Sequence, residues 1–219
     1  MPEPITMVMV GAGGGGLLIE IARRQFRVFK ELMDVGGALL AVLVFAPVMV
    51  VCMLLVKLAD WRGPILYRQV RVGLSGKLFT IYKFRTMYVD AESHGNAVLA
   101  GKDDPRVIPV CRWMRHSHMD ELPQLLNILR GEMSLVGPRP ERPEIYNQLS
   151  GSLSDFEMRL AVKPGLTGLA QIRNGYDVDM ESVGRKLELD LQYIERMSLG
   201  LDCRLLFATL TKLHDSGAR

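Results

Sequence analysis

The chain has 219 residues, with 27 Lys and Arg against 24 Asp and Glu, for a formal charge of +3. That length suits one domain with a real core or a small domain plus an anchor, and the scattered basic residues exclude an electrostatic nucleic-acid binder. Cys52, Cys111 and Cys203 lie far apart without a C-x-x-C pair, which excludes a disulfide framework and a cysteine zinc site and suits a reducing compartment.

The first element is an apolar run ending in Gly11-Ala12-Gly13-Gly14-Gly15-Gly16, which satisfies G-x-G-x-x-G. A dinucleotide fold needs a second strand and an acidic residue about 20 positions beyond the glycines. Glu31 and Asp34 stand near that distance, but a bilayer-length segment follows at once and leaves no room for further strands. The favoured reading of residues 1–24 is a glycine-rich extension, either a linker or a helix start. A dinucleotide-binding reductase is the weaker reading.

From Val35 to Val56 there are 22 residues without a charge, and a membrane span needs about 20. The mean hydropathy of the whole chain, +0.13, fits a membrane-associated protein. Pro47 stands in the middle of the run. It has no N–H for the carbonyl of Leu43, so a break or kink is expected at Ala46-Pro47. Arg23, Arg24, Arg27 and Lys30 precede the run, and Lys57, Arg62, Arg68 and Arg71 follow it. Positive residues mark the cytoplasmic side, and here both flanks carry them. A helix over residues 25–60 that enters the bilayer, bends at Pro47 and leaves on the same face is expected, ahead of a single span.

Residues 61–219 read as the polar domain. Leu78 to Met87 alternates, so Phe79, Ile81, Lys83, Arg85 and Met87 share a face if extended. His116 and His118 would share a face on a strand, although no third metal ligand is spaced to join them. Leu122, Leu125, Leu126 and Leu129 predict an amphipathic helix, with Gly131 as its stop. Pro123 fits only the first turn, so that helix begins near Asp120 and Glu121. Two carboxylates there can be capping residues or a reactive pair. Pro138, Pro140 and Pro143 stiffen a loop that presents Arg139, a side chain suited to phosphate. Lys163 opens a further turn-rich piece.

Together these motifs resemble the bacterial sugar transferase family, the monotopic polyprenyl-phosphate phosphoglycosyl transferases, in their small form with a single catalytic domain. The matching stretches are "PILYRQVRVG" (64–73), "KFRTM" (83–87), "DELPQ" (120–124), "GEMSLVGPRP" (131–140), "KPGLTGLAQ" (163–171) and "KLELDLQY" (186–193), in the same order and spacing over about residues 25 to 213. The resemblance implies an α+β, predominantly helical monotopic protein with a re-entrant membrane helix, amphipathic interfacial helices and a small β element. It implies transfer of a sugar 1-phosphate from a UDP-sugar to polyprenyl phosphate, with release of UMP, at the cytoplasmic face of the bacterial inner membrane. Such a step starts exopolysaccharide, capsule, O-antigen or glycoprotein assembly, and other glycan-assembly enzymes would be partners. By the same resemblance Asp120 and Glu121 are the catalytic and Mg²⁺-binding pair, and Lys83, Arg85, Arg115, Arg139, Lys163 and Asp202 surround the substrate. Arg112 is the neighbouring alternative to Arg115.

This sequence departs from the family in places. Ala46-Pro47 replaces the usual Ser-Pro, and His118 and Met119 replace a small polar residue and leucine. A membrane-anchored scaffold of the same fold, without catalysis, is the competing reading. The intact Asp120-Glu121 pair and cationic motifs weigh against it.

Overall fold

The computed structural model describes residues 15–89, 91, 104–174 and 179–213, with side chains from 25 to 211. Gly11 to Gly14 therefore lie outside the described residues. The described chain is mostly helical and carries two small two-stranded sheets.

Helix α1 spans Gly15–Ala59 and holds Pro47 within it. It starts ten residues before the expected boundary, and the expected break at Ala46-Pro47 is not seen, because both residues are helical. Pro47 sits on the exposed outer face, as does Leu43 four residues earlier. The missing hydrogen bond therefore falls on the side away from the domain, where the carbonyl of Leu43 can tilt outward while the inner face stays packed.

The inner face is buried toward its two ends. Lys30, Asp34, Ala38, Cys52 and Val56 are all buried, and Gly37 lets the helix approach Leu135, whose Cδ1 would lie 2.6 Å from an added Cβ. The opposite face exposes Leu39, Leu40, Leu43, Val44, Val50, Val51, Leu54 and Leu58. By length and composition α1 can cross a membrane, and only 11% of its most apolar window is buried by protein.

Strands β1 (Leu66–Val72) and β2 (Leu78–Phe84) form an antiparallel hairpin, pairing Leu66 with Phe84 and Val72 with Leu78. Strands β3 (Ser134–Val136) and β4 (Gly165–Thr167) pair in parallel. Between the hairpin and β3 lie α2 (Arg112–His116), a tight 3₁₀ turn over Met119–Gln124 and α3 (Leu125–Leu129). The expected amphipathic helix is thus two short pieces. Pro123 occupies the 3₁₀ turn, and Gly131 ends the second piece with φ +74°. Leu126 is exposed and Asn127 points inward instead. The Asn127 carboxamide donates to the carbonyl of Thr80 and accepts from the N–H of Tyr82, so it ties α3 to β2. Helices α4 (Pro143–Ser152), α5 (Leu169–Arg173), α6 (Met180–Arg196) and α7 (Leu199–Leu213) complete the domain.

Two cores result. One gathers Ala38, Ile81, Leu125, Ile128, Leu135 and Tyr193; the other gathers Cys52, Val56, Phe84, Ile108, Cys111 and Met114. α1 contributes to both, so it is the spine that joins them. Polar contacts fix its rotation. Lys30 Nζ lies 2.8 Å from Asp202 Oδ2 and donates to Ser134 Oγ at 2.7 Å. Asp34 accepts from Ser134 Oγ and from the N–H of Leu135. The Tyr193 hydroxyl donates to Asp202 at 2.8 Å. Removing one member of such a buried set leaves an uncompensated charge, at a cost of about 3–5 kcal/mol. Lys30→Met is expected to lower the thermal midpoint in detergent by about 10 °C, whereas Leu43→Met on the exposed face should move it by less than about 2 °C. Differential scanning fluorimetry checks both.

Candidate active site

The site is built on the first turn after α2. His118 takes a left-handed backbone, φ 56° and ψ 17°, which reverses the chain and starts the 3₁₀ turn. His116 ends α2, its Nδ1 against the carbonyl of Arg112. The two histidines thus sit on a helix end and a turn, not on a strand. The turn packs on β2 and α1, and this buries Asp120 and Glu121 to 8% exposure each. A 3₁₀ turn, not the expected α-helix N-terminus, holds the pair.

The two neighbours have opposite surroundings. Glu121 is saturated. Lys83 Nζ on β2 donates to its Oε1 at 2.7 Å, and Arg139 donates to Oε1 at 2.7 Å and to Oε2 at 3.3 Å. Burial pushes the Glu121 carboxyl upward, but Arg139 and Lys83 outweigh it and hold it well below the usual carboxylate range. Glu121 in turn raises Arg139 above its ordinary value. No described side chain or N–H donates to the carboxylate of Asp120. Burial is the main reason its pKa is pushed up to about 6, with Lys83 pulling down and Glu121 pushing up.

The arm that carries Arg139 explains two of the sequence motifs. Gly137 N–H donates to the carbonyl of Thr167, and Gly165 N–H to that of Pro138. An added Cβ on Gly137 would fall 2.5 Å from the carbonyl oxygen of Lys163 and 2.9 Å from the nitrogen of Gly165. Only glycine permits this approach, so "VGPRP" and "KPGLTG" are two sides of one backbone junction.

The other expected residues divide. Arg115 is half-buried, donates to Thr86 Oγ1 at 3.3 Å and lies close enough to Asp120 to lower its pKa. Its rival Arg112 is exposed. Arg85, Lys163 and Asp202 make their contacts away from the pair. Arg85 lies just past the end of β2 and is spent on Asp60 and the carbonyl of Pro64. Lys163 pairs with Glu31 at 3.1 Å, and Asp202 belongs to the Lys30 cluster. Reading the sequence for the site missed Arg71, Arg159 and Asp190, which hold the Arg139 arm. Asp190 lies inside the quoted "KLELDLQY", where its place four residues after Lys186 puts both on one helix face.

No cluster of three His, Cys, Asp or Glu side chains capable of holding a metal occurs among the described residues. Mg²⁺ in phosphate sites takes one or two carboxylates, with phosphates and waters supplying the rest. The open carboxylate of Asp120 beside Glu121 fits that donor set, and a protein-only cage is not needed.

The site thus joins a buried acid that receives no hydrogen bond from the described residues, an adjacent acid gripped by two cations, and a further arginine. The chain belongs to the Bacterial sugar transferase family, whose model matches residues 25–216. It is 40% identical over 188 residues to the undecaprenyl-phosphate glucose phosphotransferase of Komagataeibacter xylinus, covering 84% of this chain and 35% of that one. Over 186 residues it is 40% identical to the UDP-glucose:undecaprenyl-phosphate glucose-1-phosphate transferase of Caulobacter vibrioides, covering 84% and 69%. Over 191 residues it is 37% identical to the exopolysaccharide production protein PSS of Rhizobium leguminosarum bv. phaseoli, covering 84% and 94%. The chain spans between 35% and 45% of the length of the first three curated relatives it matches.

A raised carboxyl pKa has a thermodynamic sign. The folded state holds the Asp120 proton more tightly than the unfolded chain, whose aspartates titrate near 4. The group is therefore neutral to stability below pH 4, and its penalty grows as pH rises through about 6. Asp120→Asn, neutral at every pH, should raise the thermal midpoint at pH 7.5 by about 2–6 °C, and the gain should vanish at pH 4. A gain that grows toward acid would contradict this electrostatic account.

Proposed function

We propose that the protein transfers a sugar 1-phosphate from a UDP-sugar to undecaprenyl phosphate and releases UMP, at the start of a membrane-associated glycan. The observation that carries the reading is the contrast within one dipeptide: Asp120 is buried with no donor, beside a Glu121 that stores two cations. The printed names of the relatives support the choice of nucleotide sugar and lipid phosphate.

The chemistry follows from those surroundings. Asp120, as a carboxylate, attacks the phosphorus bonded to the sugar. The bond from that phosphorus to the UMP oxygen breaks, and UMP leaves with the electron pair. Undecaprenyl phosphate oxygen then attacks the same phosphorus and the Asp120 carboxylate departs. Phosphoryl transfer is mainly positioning and charge neutralisation. Lys83 and Arg139 exchange Glu121 for phosphate oxygens as substrate arrives, and Arg115 adds a third cation. Glu121 and Asp120 are the carboxylates that would hold Mg²⁺, and the ion would supply further neutralisation of the diphosphate charge. His118 keeps an exposed side chain beside this site, and partial desolvation of its ring lowers its pKa from the ordinary value, against the opposing pull of Glu121.

The same reading places the protein on the inner leaflet with the domain in the cytoplasm. Both ends of the apolar run are tied to one domain, by Lys30–Asp202 before it and by Asp60–Arg85 after it. A spanning helix would put those ends about 30 Å apart on opposite sides. A monotopic seat, with the outer face of α1 in acyl chains, satisfies both ties. In a Cys203→Ser background, cysteines placed at Arg27 and at Arg62 should both resist a membrane-impermeant maleimide in intact cells and react after permeabilisation. Labelling of either one from outside would refute the seat.

The reaction is tested by mixing the full chain with UDP-sugars and Mg²⁺ without the lipid. Mass spectrometry should find a sugar-phosphate adduct on the peptide containing Asp120, absent in Asp120→Asn. UMP release with undecaprenyl phosphate should fall more than about 1,000-fold in that variant and stop on chelation of Mg²⁺. Near-normal turnover of Asp120→Asn, or an adduct on another peptide, would overturn the assignment.

A further inference from the structure

Behind the site lies a second set of charges that touches none of the reacting groups. Arg159, in a 3₁₀ turn over Phe156–Ala161, is 5% exposed, and Asp190 on α6 is 1% exposed. Arg159 Nε donates to Asp190 Oδ2 at 2.8 Å, and its Nη2 donates to the backbone carbonyl of Arg139 at 2.9 Å. Its Nη1 lies 3.6 Å from Glu141 Oε1, which accepts from Lys186 at 2.8 Å. The guanidinium also stacks over Phe156, 4.8 Å from the ring centroid.

The reason for this arrangement is in the arm itself. Pro138 and Pro140 flank Arg139 and have no N–H, so the arm cannot secure itself by donating along its own backbone. Its carbonyls must be held by donors from elsewhere. Arg71 holds that of Pro140 at 2.8 Å, and Arg159 holds that of Arg139. Among the described residues, Arg159 is the one that grips the backbone carbonyl of Arg139, whose side chain reaches Glu121. A guanidinium is needed because two of its nitrogens act at once in fixed directions, which an ammonium cannot copy.

We infer that Arg159, held by Asp190, is a positioning residue for the reaction: it fixes the backbone of Arg139 and so the direction of the guanidinium that meets Glu121 and the incoming diphosphate. This rests on the transfer reading given above. A small misplacement of such a group, far from the chemistry, can cost about 100-fold in rate.

The test is a double-mutant cycle in the full-length protein, read as kcat/KM for UMP release and as binding of UDP-sugar. Arg159→Lys keeps the charge and loses the fork. It should lower kcat/KM by about 30-fold, with weaker UDP-sugar binding and the adduct still on Asp120. Added to Arg139→Lys, it should cost less than about twofold more, because its effect passes through Arg139. Asp190→Asn, which preserves shape, should behave the same way with a smaller loss, and serves if Arg159→Lys does not fold. Losses that multiply with Arg139→Lys, or a folded Arg159→Lys within twofold of the parent, overturn the inference. A parent protein that neither binds UDP-sugar nor releases UMP overturns the transfer reading instead.

Discussion

Glu121 is the constraint on which the site depends. One carboxylate joins three separate pieces of chain: the turn that carries it, β2 through Lys83, and the proline-stiffened arm through Arg139. Without it two cations would face each other in a half-buried cleft. With it they are stored at short range, facing a neighbour that carries no donor of its own. The adjacent residues thus separate two tasks. Glu121 organises charge, and Asp120 is left buried without a hydrogen bond from the described residues. The division follows from geometry, since successive side chains on a 3₁₀ turn point about 120° apart.

The arm is held with the same economy of means. Its prolines stiffen it but remove donors, and glycines at 137 and 165 let two backbones meet where a Cβ would collide. Buried charges on α6 then complete what the arm cannot do for itself. Buried ionic sets are weak sources of net stability because desolvation offsets attraction. Here the set fixes the direction of the Arg139 backbone.

Much of this was legible in the sequence. The Asp120-Glu121 pair, Lys83 on a strand and Arg139 between prolines all stand together in the fold. They were readable because local rules fixed each one: strand alternation, proline geometry, the turn before Leu122. Arg85, Lys163 and Asp202 were expected beside them and are found elsewhere for one shared reason. Each is ion-paired to α1 or its exit, to Asp60, Glu31 and Lys30 respectively. Sequence patterns assign charge to a motif, but the partner is set by a helix more than twenty residues away in the chain. The break at Pro47 failed for a related reason. Local chemistry weighs one lost hydrogen bond, and here that loss falls on the exposed side of the helix. Arg159 and Asp190 were missed because their role rests on contacts that only the fold sets, Arg159 to Asp190 and Arg159 to the carbonyl of Arg139, although Asp190 stands inside one of the quoted motifs.

The tie between Lys30 and the far end of the chain bears on the order of assembly. During synthesis α1 emerges before the other described elements, since it precedes them in the chain. Ser134, the next partner of Lys30, is 104 residues later, and Asp202 follows only with the last helix. Until then Lys30 and Asp34 have half a socket and remain hydrated. Under the monotopic seat proposed above, the helix would enter the membrane before the domain could close around it. Contacts this distant in sequence form late and carry a large loop-closure entropy. On that seat the bilayer would act as a jig, holding α1 in place while α7 is made.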